Sequence, residues 1–88
     1  MQKIIHVTPL KDYQLKLEFQ NQETRIFDTK PYLDKGIFVE LKNIEYFNKA
    51  RIFFDSIAWP NGQDFDPDCL YIESRVIESP ISDHSLPL

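Results

Sequence analysis

The stretch from Ile57 to Tyr71, I-A-W-P-N-G-Q-D-F-D-P-D-C-L-Y, restricts the fold of this chain more than any other. Ile57 and Trp59 alternate as strand residues do, Pro60 has no N–H to give a ladder, and Asn61-Gly62 tolerates the positive φ of a tight reversal. The chain is therefore expected to turn back at Asn61-Gly62. Beyond the turn, Asp66-Pro67 has the form of a helix start. An Asp carboxylate accepts the orphan amides of a first turn, and Pro at the first helical position gives up no hydrogen bond. Leu70 and Tyr71 are then predicted to pack back on the strand.

Upstream, Lys3 to Thr8 alternates loosely, with Ile5 and Val7 on one side and Ile4, His6 and Thr8 on the other, and Pro9 is expected to close it as a first strand. Lys11-Asp12 reads as a polar turn. Tyr13 to Phe19 is the cleanest period-2 segment: Tyr13, Leu15, Leu17 and Phe19 share one face, and Gln14, Lys16 and Glu18 the other. Glu23 to Phe27 follows the turn marked by Asn21 and completes a three-stranded antiparallel meander. Asp28 or Thr29 can cap a single turn, 3₁₀ in character, that Pro31 starts and Gly36 ends. Ile37 to Leu41 is too short to assign by period and reads either as a strand or as a loop held on the core.

Asn43 is expected to cap a helix over Ile44 to Ala50, with Glu45 and Lys49 as an exposed ion pair. Arg51 to Phe54 and Ile57 to Trp59 are predicted to form a second hairpin linked by Asp55-Ser56. A last strand is read within Ile72 to Ile77. From Ser79 the chain reads S-P-I-S-D-H-S-L-P-L without period, so residues 1–78 are expected to form one domain and 79–88 a flexible tail. The class expected is α+β: a meander, a second hairpin, one short helix and one or two single helical turns.

Composition limits the function. A chain of 88 residues has room for one domain, burying roughly 60–65% of its unfolded surface. Ten Lys and Arg against 14 Asp and Glu give a formal net charge of -4, which disfavours nucleic acid unless Lys30, Lys35, Lys42, Lys49 and Arg51 share a face. The lone Cys69 has no internal disulfide partner, and neither a signal-like segment nor a membrane-length apolar run is present, so the cytoplasm is the expected compartment.

The string W-P-N-G-Q-D-F-D-P-D-C-L-Y resembles a family of small bacterial proteins known as domain of unknown function 2442 (DUF2442). V-T-P-L-K-D-Y-Q-L-K-L-E-F, R-I-F-D-T-K-P-Y-L and D-K-G-I-F-V-E-L-K-N are similar to the family's opening hairpin, third strand and middle, so the likeness spans Ile4 to Tyr71. It implies a compact α+β domain. Some family members carry a helix-turn-helix domain that this length has no room for. The family's gene neighbourhoods imply pairing with another small protein, in the manner of toxin and antitoxin. The link Asp55-Ser56 is shorter than the corresponding stretch in many relatives, implying a tighter hairpin here.

Chemistry is sparsely marked. Asp64, Asp66 and Asp68 alternate as loop ligands of a hard cation do, but an EF-hand register from Asp64 puts Cys69 where Gly is required and Arg75 where Glu is required. Helix capping accounts for Asp66 and Asp68 without an ion. His6 and His84 stand in no zinc-ligand spacing, and Gly36 and Gly62 are too few for a phosphate loop. Cys69, near the helix start, reads as apolar filler, with a slightly lowered thiol pKa as the minority reading.

Trp59, Pro60, Asn61, Gly62, Asp64, Pro67, Leu70 and Tyr71 are read as the structural signature, and Phe53, Phe65 and Trp59 as candidate interface residues, with burial favoured for Trp59. The function expected is non-catalytic binding of another small protein, or self-association, as an antitoxin-like or regulatory partner, without cofactor, metal or membrane. The alternative is a metal- or small-ligand-dependent enzyme centred on Asp64, Asp66 and Asp68.

Overall fold

A computed structural model describes residues 2–80. The fold is α+β, with two antiparallel sheets bracketing short helices. The first sheet takes strands β1 (Ile4–Leu10), β2 (Gln14–Phe19), β3 (Thr24–Asp28) and β7 (Arg75–Glu78) in the order β1-β2-β3-β7. The second takes β4 (Arg51–Phe53), β5 (Ser56–Ala58) and β6 (Asp64–Phe65) in chain order. The meander expected from sequence is therefore present and gains β7 as a fourth strand on its β3 edge.

The alternation in β2 sets the dry face: Leu15, Leu17 and Phe19 are buried, while Gln14, Lys16 and Glu18 are not. Phe27 of β3 pairs with Leu15 and joins the same face. Strand β1 departs from simple alternation. Its pairing with β2 slips between Ile4 and His6, and this bulge turns both Ile4 and Val7 toward the core while Ile5 stays exposed. Pro9 does not close the strand but pairs with Leu15 inside it, because β1 is an edge whose outer side needs no donor. Tyr13 lies in the preceding turn, with Asp12 and Tyr13 both at positive φ, and not in the strand.

The single turn predicted around Pro31 is the 3₁₀ turn Lys30–Tyr32, and Asp28 accepts the Lys30 amide at 3.0 Å. Thr29 is buried and gives its hydroxyl to the Tyr13 carbonyl at 2.7 Å instead of capping. Ile37 to Leu41 is neither strand nor loop: a 3₁₀ helix runs Gly36–Lys42 and buries Leu41. Asn43 caps the next helix as expected, its side chain accepting from the Glu45 and Tyr46 amides, but that helix, α1, is only Ile44–Phe47. Glu45 and Lys49 are not among the ion pairs of the described residues, and α1 ends at Phe47, before the turn that would align them. Helix α2 (Pro67–Glu73) is the longer one, and the strand read within Ile72 to Ile77 begins only at Arg75, after this helix.

One core joins the layers: Leu15, Leu17, Phe19 and Phe27 from the large sheet meet Ile57 and Phe65 from the small one and Trp59 just past β5, with Leu41, Phe47 and Leu70 filling from the helices. Of the expected tail, Ser79 and Pro80 follow β7, and residues 81–88, including His84, lie outside the described residues. No helix among the described residues is long and apolar enough to cross a membrane.

Candidate functional site

The β4–β5 hairpin turns at Phe54-Asp55, with φ of 48 and 67 degrees, the positive values a two-residue type I′ reversal requires. The link read from sequence as Asp55-Ser56 is thus shifted by one residue. Pairing of Phe53 with Ser56 places Ser56 inside β5, where it is buried and donates its hydroxyl to the Phe65 carbonyl at 2.6 Å. The shift leaves Phe54 at the tip, 84% exposed, edge-on to Phe53 with ring centroids 4.5 Å apart. The tip is anchored from behind: Ile4 donates its amide to the Asp55 carbonyl at 2.9 Å, and Lys3 pairs with the Asp55 carboxylate at 3.8 Å.

Beside the tip is an open cleft of about 320 Å³. Phe53, Phe54 and Pro67 form its walls, the buried Ile57 and Phe65 its base, and Asp64 and Asp66 its acidic rim. Of the three residues predicted as interface, only Phe53 reaches the surface. Phe65 is buried, and Trp59 is 0% exposed with its indole N–H donated to the Phe47 carbonyl at 2.9 Å. Sequence reasoning passes over Phe54 because turn propensity points away from a Phe at positive φ. The signal in the sequence is the run Phe53-Phe54 before the link, whose meaning depends on register.

The tryptophan turn is built differently from a two-residue Asn-Gly reversal. Gly62 N donates to Trp59 O at 3.0 Å and Trp59 N to Gln63 O at 2.9 Å, so Pro60 and Asn61 are the central residues and Gly62 alone takes positive φ, at 99 degrees. Around it runs a polar network. Asn61 donates to both Glu40 carboxylate oxygens, at 2.9 and 2.8 Å. Gln63, 2% exposed, donates to Glu40 and to the Ile37 carbonyl and accepts from the Tyr46 hydroxyl at 2.6 Å. That hydroxyl in turn accepts the Asn61 amide at 2.8 Å.

The donations from Asn61 and Gln63 hold the Glu40 carboxyl below its ordinary value. A carboxyl lowered in the folded state stabilises it above the unfolded pKa and loses that contribution as pH falls through the folded value. Below about pH 4.5 the urea midpoint of the wild type is expected to fall more steeply than that of Glu40→Gln, whose amide does not titrate. Parallel acid limbs would show that Glu40 is unclamped in solution.

The aspartate trio does not converge. Asp66 is the cap of α2, its Oδ2 accepting from Asp68 N at 3.1 Å and Cys69 N at 3.2 Å. Asp64 sits opposite Ala58 in β6. Among the described residues no group of three His, Cys, Asp or Glu side chains is placed to hold a metal ion. The middle carboxylate of the trio thus serves the first turn of α2 through its Oδ2.

His6 faces Glu18 at 3.6 Å on the exposed side of the sheet. Burial, then the Glu73 carboxylate at 3.3 Å, pushes the Cys69 thiol pKa up, opposite to the lowered value considered for a helix start. The Tyr32 hydroxyl donates to the same carboxylate, which raises its pKa too. Of the cations considered for nucleic acid, Lys30 is paired with Asp12 and Asp28, and Lys42 with Asp34.

The family model described as protein of unknown function (DUF2442) matches residues 4–75. The chain belongs to this family. No curated protein and no solved structure matches it. The DUF2442 match takes in the tryptophan turn, its polar network, the Phe54 tip and the cleft, and ends at the first residue of β7. Within this DUF2442 domain, Arg25 is a further residue that no motif in the sequence marks. It lies 3.8 Å over the Tyr71 ring and donates to the Tyr71 and Ser74 carbonyls, satisfying the C-terminal end of α2.

Proposed function

We propose that this DUF2442 domain is a non-catalytic binding module that grips another small protein with the Phe53-Phe54 tip and the adjoining cleft. The observation that carries the reading is Phe54: a large ring in water on a left-handed backbone. That conformation costs an L-residue about 1–2 kcal/mol, and the fold recovers little of it through so exposed a side chain. Such a feature is accounted for when the ring is buried by something else, and aromatic anchors dominate protein interfaces. The acidic rim of Asp64 and Asp66 suits a partner presenting cationic groups around an apolar anchor. A regulatory or antitoxin-like role in the cytoplasm fits the paired gene arrangement that the family resemblance implies.

Phe54→Asn tests this with two readouts. Asn tolerates positive φ, so the variant is expected to be more stable by about 0.5–1 kcal/mol in urea unfolding. In quantitative co-purification from the native host, a partner recovered with the wild type is expected to be lost with the variant. A wild-type chain isolated without any stoichiometric partner, or a partner retained equally by Phe54→Asn, would remove this reading.

A further inference from the structure

Strand β7 is one of the two outer strands of the four-stranded sheet, and its four residues, Arg75-Val76-Ile77-Glu78, are all exposed. Ile72, one residue before the last of the preceding helix, is 77% exposed as well, and Val76 and Ile77 are each about half exposed. The strand reads basic, apolar, apolar, acidic. Run antiparallel against itself, it sets Arg75 opposite Glu78, and Val76 opposite Ile77, with the same pairs repeated across the two-fold axis.

In a regular strand this match fails, because residues three apart point to opposite faces and opposed residues of an antiparallel pair must share one. The register of β7 removes the obstacle. Ile26 pairs with Arg75 and Thr24 with Glu78, yet only Arg25 lies between the first two, against Val76 and Ile77 on β7. This slip is a one-residue bulge, and it puts Arg75 and Glu78 on the same outer face. There Arg75 ends the row Thr8, Lys16, Ile26, and Glu78 ends the row His6, Glu18, Thr24.

We propose that β7 is a self-recognition edge, at which a second copy of this chain docks antiparallel with Arg75 of each copy facing Glu78 of the other. A bulge and terminal charges also protect an edge against indiscriminate pairing. Here the charges exclude most sequences and admit this one, since like charges opposed across strands repel. The surface is separate from the Phe54 tip, which is hydrogen-bonded to β1 at the opposite side of the same sheet. The proposal therefore stands independently of the protein-binding reading above.

Four residues a side make a small interface, so a weak, reversible dimer is expected, seen by sedimentation velocity as a rising weight-average mass between ~10 µM and ~1 mM chain. Arg75→Glu alone and Glu78→Arg alone, each with an unchanged circular dichroism spectrum, are expected to weaken the dimer about tenfold or more. The double variant, which restores both pairs with reversed sign, is expected to return to within about threefold of wild type. Phe54→Asn should dimerise normally. A chain that stays monomeric to ~1 mM, a dimer indifferent to either single reversal, or a double variant no better than the singles would each overturn the proposal.

Discussion

Trp59→Ala is expected to leave the domain largely unfolded at 37 °C. The side chain is fully buried, packs against Phe47 and Phe65, and holds the Phe47 carbonyl through its N–H. Truncating a buried aromatic to Ala costs about 3–5 kcal/mol, and loss of the indole hydrogen bond adds roughly 0.5–1.5, the Phe47 carbonyl keeping the Ala50 amide at 3.3 Å. A domain of this size holds only about 4–13 kcal/mol in total, at a typical ~0.05–0.15 per residue. Loss of near-ultraviolet circular dichroism and of amide dispersion in a proton–nitrogen spectrum would report the outcome. Trp59→Phe keeps most of the packing and removes only the donor, so that variant should fold and be less stable by about 1 kcal/mol in urea unfolding. If Trp59→Ala unfolds at the wild-type urea concentration, the tryptophan turn does not organise this core.

Gln63→Leu should be the most damaging polar substitution. The amide is almost completely buried and makes one bond each to Tyr46, Glu40 and the Ile37 carbonyl, so an apolar replacement strands several polar groups at once. Each stranded group costs about 1–3 kcal/mol unless water reaches it. Glu40 is exposed and keeps the Asn61 side chain as a partner, so a total of about 2–4 is expected, or a melting temperature lower by roughly 10–20 °C. Tyr46→Phe alone should cost less, about 1–2 kcal/mol, since it strands the Asn61 amide and one lone pair of Gln63. Because the two side chains share a bond, the double variant should fall short of the sum by about 1 kcal/mol. Strict additivity in chemical unfolding would mean that Tyr46 and Gln63 act separately.

Elements with a strong local period or a stereochemical marker are legible in the sequence. Leu15, Leu17 and Phe19 announce the dry face of β2, Asn43 and Asp66 mark two helix caps, and Pro67 opens α2, all as found. Expectation and structure part where local rules leave a choice of one residue. The Phe53–Ser56 pairing moves the hairpin link from Asp55-Ser56 to Phe54-Asp55, and that single step converts Ser56 into core and Phe54 into surface. Ile37 to Leu41 carries too few residues to reveal a 3₁₀ period, and its conformation follows from Leu41 reaching the core. The candidate site is mostly hidden for the same reason: it depends on the register of the β4–β5 hairpin, not on a motif.

By itself the sequence determined the family, the α+β class, the meander, the capped second helix and the need for a reversal after Trp59, because each rests on side-chain chemistry acting within a few residues. Tertiary structure alone decided which aromatic faces water, which carboxylate is a cap and which a clamp, and that β7 closes the large sheet. The physical reason is that register is a cooperative quantity. Sliding one strand by a residue leaves local propensity nearly unchanged but exchanges every inward side chain for an outward one, so only the packing of the whole core selects among the alternatives.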